Sequence, residues 1–130
     1  MQVTMKLIAT DAHPERADGK NVLEMANDAD PLAHSLEGVA RIDLNFPKFT
    51  DGRAFSQAFL LRRRRGFEGE IRATGDVLID QLVQMQRTGF SSAVLRADQD
   101  VADAQRQFDR YNRFYQGDAL NLHPLFTQAL

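Results

Sequence analysis

Apolar and polar residues alternate along short segments of the chain, and helix-like patterns follow these segments. In residues 39–46 the apolar positions are every second residue, namely Ile42, Leu44 and Phe46. The residues between them are Arg41, Asp43 and Asn45. This alternation is typical of a strand with one apolar face and one polar face. Further short runs that we predict to be strands lie at 20–28, 70–74 and 91–96.

The segments between these strands carry the start and stop signals of helices. Asp30 precedes Pro31, and this pair suits the start of a helix. Aspartate caps the helix, and proline at the first helical position has no amide hydrogen that would need a partner. Gly38, Gly66 and Gly89 are placed where helices end. We therefore predict helices at 31–38, 53–65 and 77–88, and a last one from about Asp98 to Tyr115. The segment VTMKLIA, within the first 20 residues, is compatible with one more strand.

Four consecutive β-α units predict an α/β fold with a parallel sheet, because right-handed helical crossovers join parallel strands. The polar residues on one strand face favour helices on a single side, as in half of an eight-stranded barrel. A flavodoxin-like arrangement, with helices on both sides, is the alternative. An open sheet has two edges that invite pairing, so we expect a homodimer. We predict a single domain over 1–130, with 1–20 and 117–130 peripheral.

Composition limits the possible function classes. The 130 residues carry a net charge of −2, which argues against a nucleic-acid-binding protein. No apolar stretch is long enough to span a membrane, and the start of the chain does not resemble a signal peptide, so we expect a cytoplasmic protein. The chain has no cysteine, and its three histidines are widely scattered. We predict no metal site, and no standard cofactor motif is present.

The loops that leave the predicted strands would meet at one edge of the sheet, where parallel folds place their ligands. Lys48, Arg53 and Arg72 lie in or near these loops. Guanidinium groups and helix amides both suit oxyanions, so these three residues are candidates for binding phosphate, sulfate or sulfite. The alternative is that Arg53 or Arg72 neutralises Asp43 on a neighbouring strand.

Two aspartates near helix starts, Asp51 and Asp76, are the candidate catalytic acids or bases. Capping of the following helix is the simpler role for both of them. The run Arg62–Arg65 ends a predicted helix, where cations complement the helix dipole. Binding of RNA, a membrane surface or a partner is the alternative for this run.

Two long segments carry a family resemblance. FPKFTDGRAFSQAFLLR at 46–62 and GEIRATGDVLIDQLVQMQRTGF at 69–90 resemble the bacterial domain-of-unknown-function 934 family. NDADP at 27–31 and FYQGDA at 114–119 are similar to one of its branches. The chain departs from the family at Phe55, where members commonly have tyrosine.

The resemblance implies a role in sulfate or sulfite assimilation, since members are often encoded beside assimilatory sulfite reductase and are described as oxidoreductases of sulfite reduction. It supplies no catalytic residues. Without cysteine or a dinucleotide-binding loop, an independent oxidoreductase is difficult to build from this chain. We therefore expect an accessory or small anion-binding protein that works with sulfite reductase. The alternative is an enzyme acting on a small oxyanion or phosphorylated compound at the carboxyl ends of the strands.

Overall fold

The computed structural model describes residues 5–10, 21–48 and 50–120, with side chains as far as residue 110. Its strands are β1 (Lys6–Ile8), β2 (Val22–Met25), β3 (Arg41–Phe46), β4 (Glu70–Gly75) and β5 (Ser92–Val94). They form one five-stranded sheet in the order β1-β5-β4-β3-β2. Every neighbouring pair is parallel. The prediction of an α/β fold with a parallel sheet is therefore confirmed.

Three α-helices follow the strands β3, β4 and β5. They are α1 (Arg53–Arg63), α2 (Leu82–Thr88), which a 3-10 turn at Ile79–Gln81 precedes, and α3 (Val101–Leu120). Helix α3 runs five residues past its predicted end at Tyr115. Within the described residues, no helix combines the length and the apolar character needed to cross a membrane.

Strand β1 lies in the segment that we expected to be peripheral. It pairs with β5 at one edge of the sheet, and the preceding Met5 is buried in the core. Of that segment, residues 1–4 and 11–20 lie outside the described residues, as do residues 121–130 of the predicted peripheral tail.

The connection from β2 to β3 consists of turns, so the prediction of a helix at 31–38 is wrong. Asp30 does accept a hydrogen bond from the amide of Leu32, at 2.9 Å, but this closes a turn instead of starting a helix. The guanidinium of Arg65 donates to the carbonyl oxygens of Pro31 and His34, both at 2.8 Å. These tertiary hydrogen bonds use carbonyl groups that a short helix would need for its own ladder, and a segment this short gains little from helix formation alone.

One face of the sheet forms the hydrophobic core with the helices. Ile42, Leu44 and Phe46 of β3 are fully buried on this face. The core side chains that the helices contribute are Ala54, Ala58, Leu61, Leu82, Met85, Ala104 and Phe108. The Phe46 ring packs edge-on against Phe55 of α1, with the ring centres 5.1 Å apart. Complete burial of such side chains contributes about 1.5–3 kcal/mol each to folding, so this face anchors the fold.

The opposite face carries a polar ladder. Its register brings Asp43 beside Arg72, and Arg72 beside Ser92. Arg41 holds Asp43 at 2.9 Å, and Arg72 holds Glu70 at 2.9 Å, so each buried charge has a partner of opposite sign. Burial raises the pKa of Glu70, but hydrogen bonds from Ser92 and Arg72 and the charges of both arginines outweigh it, and the net shift is downward.

Candidate functional site

The carboxyl ends of all five strands point toward one edge of the sheet, which we call the carboxyl edge. The loops that follow β2, β3, β4 and β5 start there, so this edge gathers the predicted site residues Lys48, Arg53, Asp51 and Asp76. In open parallel sheets, ligands bind in the crevice outside these strand ends.

Asp51 shapes the loop between β3 and α1. Its Oδ1 accepts a hydrogen bond from the backbone amide of Arg53 at 3.0 Å. Its Oδ2 accepts one from the side-chain amide of Asn27, at 2.7 Å, in the loop after β2. The amide of Asp51 itself donates to the carbonyl oxygen of Lys48 at 2.9 Å. Both carboxylate oxygens are thus used to fix the turn and to join two neighbouring loops.

Two cations flank this turn on the solvent side. Lys48 is exposed, and the side chain of Arg53 is 65% exposed, with its Nε 3.7 Å from Asp51. The first turn of α1 contains no acidic residue, and Gly52 at the helix cap offers no side-chain acceptor. The positive end of the helix dipole therefore adds to the charge of Lys48 and Arg53. This is the most cationic arrangement among the predicted site residues.

Arg72 has a different environment from the other two predicted anion-binding residues. It is only 8% exposed and lies on the polar face of β4. Its guanidinium donates to Glu70, the first residue of β4, at 2.9 and 3.1 Å, and to Ser92 at 3.3 Å. These bonds direct the guanidinium toward the amino-terminal half of the strands. The structure thus places Lys48 and Arg53 on one loop and holds Arg72 in the polar ladder.

Asp76, the other predicted catalytic candidate, belongs to an ion cluster at the carboxyl edge. Arg96 contacts Asp76 at 2.7 Å and Asp98 at 2.6 Å. Hydrogen bonding to Arg96 lowers the pKa of Asp98 to about 2. The hydrogen bonds from Arg96 to Asp98 and Asp76 raise the pKa of the guanidinium. The sequence indicated only that a helix starts near Asp98, because nothing local shows that Arg96 bridges to the loop after β4.

The basic run at the end of α1 divides into inward-facing and outward-facing residues. Arg62 donates to the carbonyl oxygens of Phe67, Gly69 and Gly89, and Arg65 holds the β2–β3 connection as described above. Burial lowers the pKa of Arg62. Arg63 is exposed and lies over the Phe59 ring at 5.4 Å. Half of the run is thus engaged in holding loops, which leaves a smaller basic surface than the sequence indicates.

The described residues include no group of three or more His, Cys, Asp or Glu side chains that could hold a metal ion. The chemistry at the carboxyl edge is that of a small basic loop, from Lys48 to Arg53, beside carboxylates that have structural partners. Such an arrangement can bind an anion, because exposed cations and the positive end of a helix dipole both lower the energy of negative charge.

Comparison with known proteins places most of the chain in one family. The family described as a bacterial protein of unknown function, DUF934, matches residues 22–126. This range contains β2 to β5, all three helices and the whole carboxyl edge of β2, β3 and β4. No curated protein and no solved structure matches the chain.

Proposed function

We propose, because this chain belongs to the bacterial DUF934 family, that it is an accessory protein of assimilatory sulfate and sulfite reduction that binds a small oxyanion. The anion would bind at the loop between β3 and α1, through the side chains of Lys48 and Arg53. In this proposal the protein works in the cytoplasm, as a homodimer, beside sulfite reductase. The oxidoreductase activity then belongs to that partner.

The observation that carries the oxyanion proposal is the exposed pair of cations on one turn. Both oxygens of the nearest carboxylate, Asp51, already accept hydrogen bonds, one from Asn27 and one from the Arg53 amide. These bonds hold the carboxylate against the loop. Its contact with the Arg53 guanidinium is long, at 3.7 Å, and an exposed pair of that kind contributes little. A bound oxyanion can replace this contact with direct hydrogen bonds from the guanidinium.

Binding is better supported than the alternative of catalysis at the same edge. A general acid or base needs a carboxylate that is able to approach substrate and exchange a proton. Asp51 has both oxygens engaged by the loop, and Asp76 pairs with Arg96. Both aspartates therefore have structural partners: Asp51 binds the amide of Arg53 at the start of α1, and Asp76 binds Arg96 on the loop after β5. Sulfite reduction itself enters the proposal through the family resemblance alone.

Sulfate, phosphate and sulfite are expected to raise the melting temperature of the protein by a few degrees at millimolar concentration. A ligand that binds only the folded state stabilises it by mass action. The measurement is thermal unfolding with each anion against sodium chloride at equal ionic strength, because general salt screening must be held constant. The double variant Lys48→Gln, Arg53→Gln should lose most of the increase.

The matched control is the double variant Arg63→Gln, Arg64→Gln, which removes the same charge from exposed positions at the other end of α1. It should keep the full response to sulfate. An equal response in both double variants would assign the effect to net charge, and the oxyanion site would have to be abandoned.

Deletion of the gene in the bacterium that encodes it tests the place in sulfur assimilation. We expect the deletion strain to grow poorly on sulfate and on sulfite and to grow normally on cysteine, which places the protein at sulfite reduction. A complementing copy with Lys48→Gln and Arg53→Gln should restore growth only in part. Growth restored by sulfite would move the role upstream, and normal growth on sulfate would contradict the assignment.

A further inference from the structure

A pocket lies on the polar face of the sheet, near the carboxyl ends of β2, β3 and β4. Its volume is about 260 Å³, and its lining residues are Glu24, Met25, Ala26, Asp43, Asn45 and Thr74. The strand register explains the composition of this lining. Glu24 and Asp43 are register partners on β2 and β3, and Asn45 and Thr74 are partners on β3 and β4. Residues two apart on a strand share a face, so all four polar side chains stand on the same side.

The polar groups of this pocket are mainly hydrogen-bond acceptors. Thr74 donates its hydroxyl hydrogen to the carbonyl oxygen of Leu44 at 3.3 Å, so its oxygen presents lone pairs to the pocket. Asp43 accepts from Arg41 at 2.9 and 3.2 Å, and an ionised carboxylate has about four acceptor positions. Asn45 adds a side-chain amide, whose oxygen is a further acceptor and whose NH2 group is a donor. A ligand that matches this lining must bring donors.

The pocket also carries one uncompensated negative charge. Arg41 neutralises the buried Asp43, which is 4% exposed. Glu24 is exposed at the side of the pocket, and its carboxylate has no hydrogen-bond or ion-pair partner in the part of the chain that the structure describes. A cation is therefore favoured over an anion or a neutral group.

We infer that this pocket, lined by Glu24, Asp43, Asn45 and Thr74, binds a small organic cation with several N–H donors, either a guanidinium or a primary ammonium group. Glu24 supplies the countercharge, and the oxygens of Asp43, Asn45 and Thr74 accept hydrogen bonds from the cation. The volume is below the range of about 300–1,000 Å³ that is common for ligand pockets, so the ligand is small. A divalent metal fits less well, because Arg41 already engages one of the two carboxylates.

This site is separate from the anion-binding loop and has the opposite charge. The two sites use different side chains, although they are neighbours: Ala26 lines the pocket and the adjacent Asn27 donates to Asp51, and β3 carries Asn45 and ends two residues before Lys48. Cation binding can therefore fail while oxyanion binding is retained, or the reverse. Different experiments therefore test the two sites.

The test is a titration of the full chain with methylguanidinium chloride, followed by amide chemical shifts in nuclear magnetic resonance spectra. We expect saturable shifts centred on Glu24, Asn45 and Thr74, with an affinity of roughly millimolar order, as suits so small a probe. Tetramethylammonium chloride is the matched probe, because it carries the same charge without any N–H donor. It should produce no saturable shift at these residues.

Glu24→Gln should weaken methylguanidinium binding roughly tenfold, since it replaces a charged acceptor with a neutral one of the same shape. Glu37→Gln, which removes an exposed charge from the β2–β3 connection outside the pocket, should leave the affinity unchanged. Both substitutions are on exposed side chains, so the variants should fold. Equal shifts with both probes, or an unchanged affinity in Glu24→Gln, would overturn the inference.

Discussion

Replacement of Gly75 by alanine is expected to destabilise the protein by about 3 kcal/mol or more. Gly75 ends β4 with a φ angle of +92°, a region that costs residues with a side chain about 1–2 kcal/mol. A Cβ atom there would lie 2.4 Å from the carbonyl oxygen of Phe46 and 2.6 Å from Oδ1 of Asn45. The Phe46 oxygen accepts a hydrogen bond from Asp76 at 2.7 Å, so it has little freedom to move away.

The measurement is the free energy of unfolding from urea denaturation, compared with Gly38→Ala. Gly38 also has a positive φ angle, +76°, but no atom lies within 4 Å of the position that a Cβ atom would take there. That variant should lose only the conformational cost of about 1 kcal/mol. The difference between the two losses of stability then measures the free-energy cost of placing a Cβ atom between the end of β3 and the turn after β4. Equal losses would show that the backbone at Gly75 relaxes freely.

The parallel sheet could be predicted because its signals are local. The alternation from Arg41 to Phe46 marks β3, and glycines mark the ends of α1 and α2. The boundaries of α1 and β4 agree with the prediction to within two residues. Even the polar face was visible in the alternation. Its individual pairs were not, because Arg41 and Asp43 lie two apart on one strand and the sequence alone gives no reason to prefer that pair to a cross-strand one.

The connection from β2 to β3 shows what local signals miss. Asp30-Pro31 is a good helix start and Gly38 a good helix end, yet this segment forms turns. The residues that decide this are distant in sequence. Gln57 donates to the carbonyl oxygens of Ala26 and Ala29 at 2.8 and 2.9 Å, and Arg65 adds two more such bonds farther along the connection. No pattern within residues 26–38 indicates these partners, because tertiary packing brings them next to the connection.

The candidate site, too, could be predicted from the sequence only in part. Its place at the carboxyl edge followed from the parallel topology, and Lys48 and Arg53 lie on the predicted loop. The direction in which Arg72 points depends on Glu70 and Ser92, and the second of these comes from another strand. The polar pocket beside Glu24 was not foreseen, because it requires the register of three strands. Topology can be predicted from the chain, whereas the orientation of long side chains depends on the assembled sheet.

The loss of Arg62 is expected to be as damaging as the loss of a core side chain. Its guanidinium donates to the carbonyl oxygens of Gly89, Phe67 and Gly69 at 2.9, 2.9 and 2.7 Å. It thereby joins the end of α1 to the loops before β4 and β5. Arg62→Met keeps the apolar stem and removes all the donors, so we expect a loss of about 2–3 kcal/mol in the free energy of unfolding. Arg62→Lys should recover little of it, because a compact ammonium group cannot reproduce the planar fork of guanidinium donors.

The matched control for this prediction is Arg63→Met, one residue farther along the same helix. Arg63 is exposed and contacts the Phe59 ring, so its replacement should change stability by only about 0.5 kcal/mol. Both variants remove one positive charge from the last turn of α1, and both lose the same favourable interaction with the helix dipole. Any excess loss in Arg62→Met therefore measures the three carbonyl contacts. Equal losses in urea denaturation would mean that water replaces the guanidinium at these carbonyl oxygens, and that the two loops are held by the core alone.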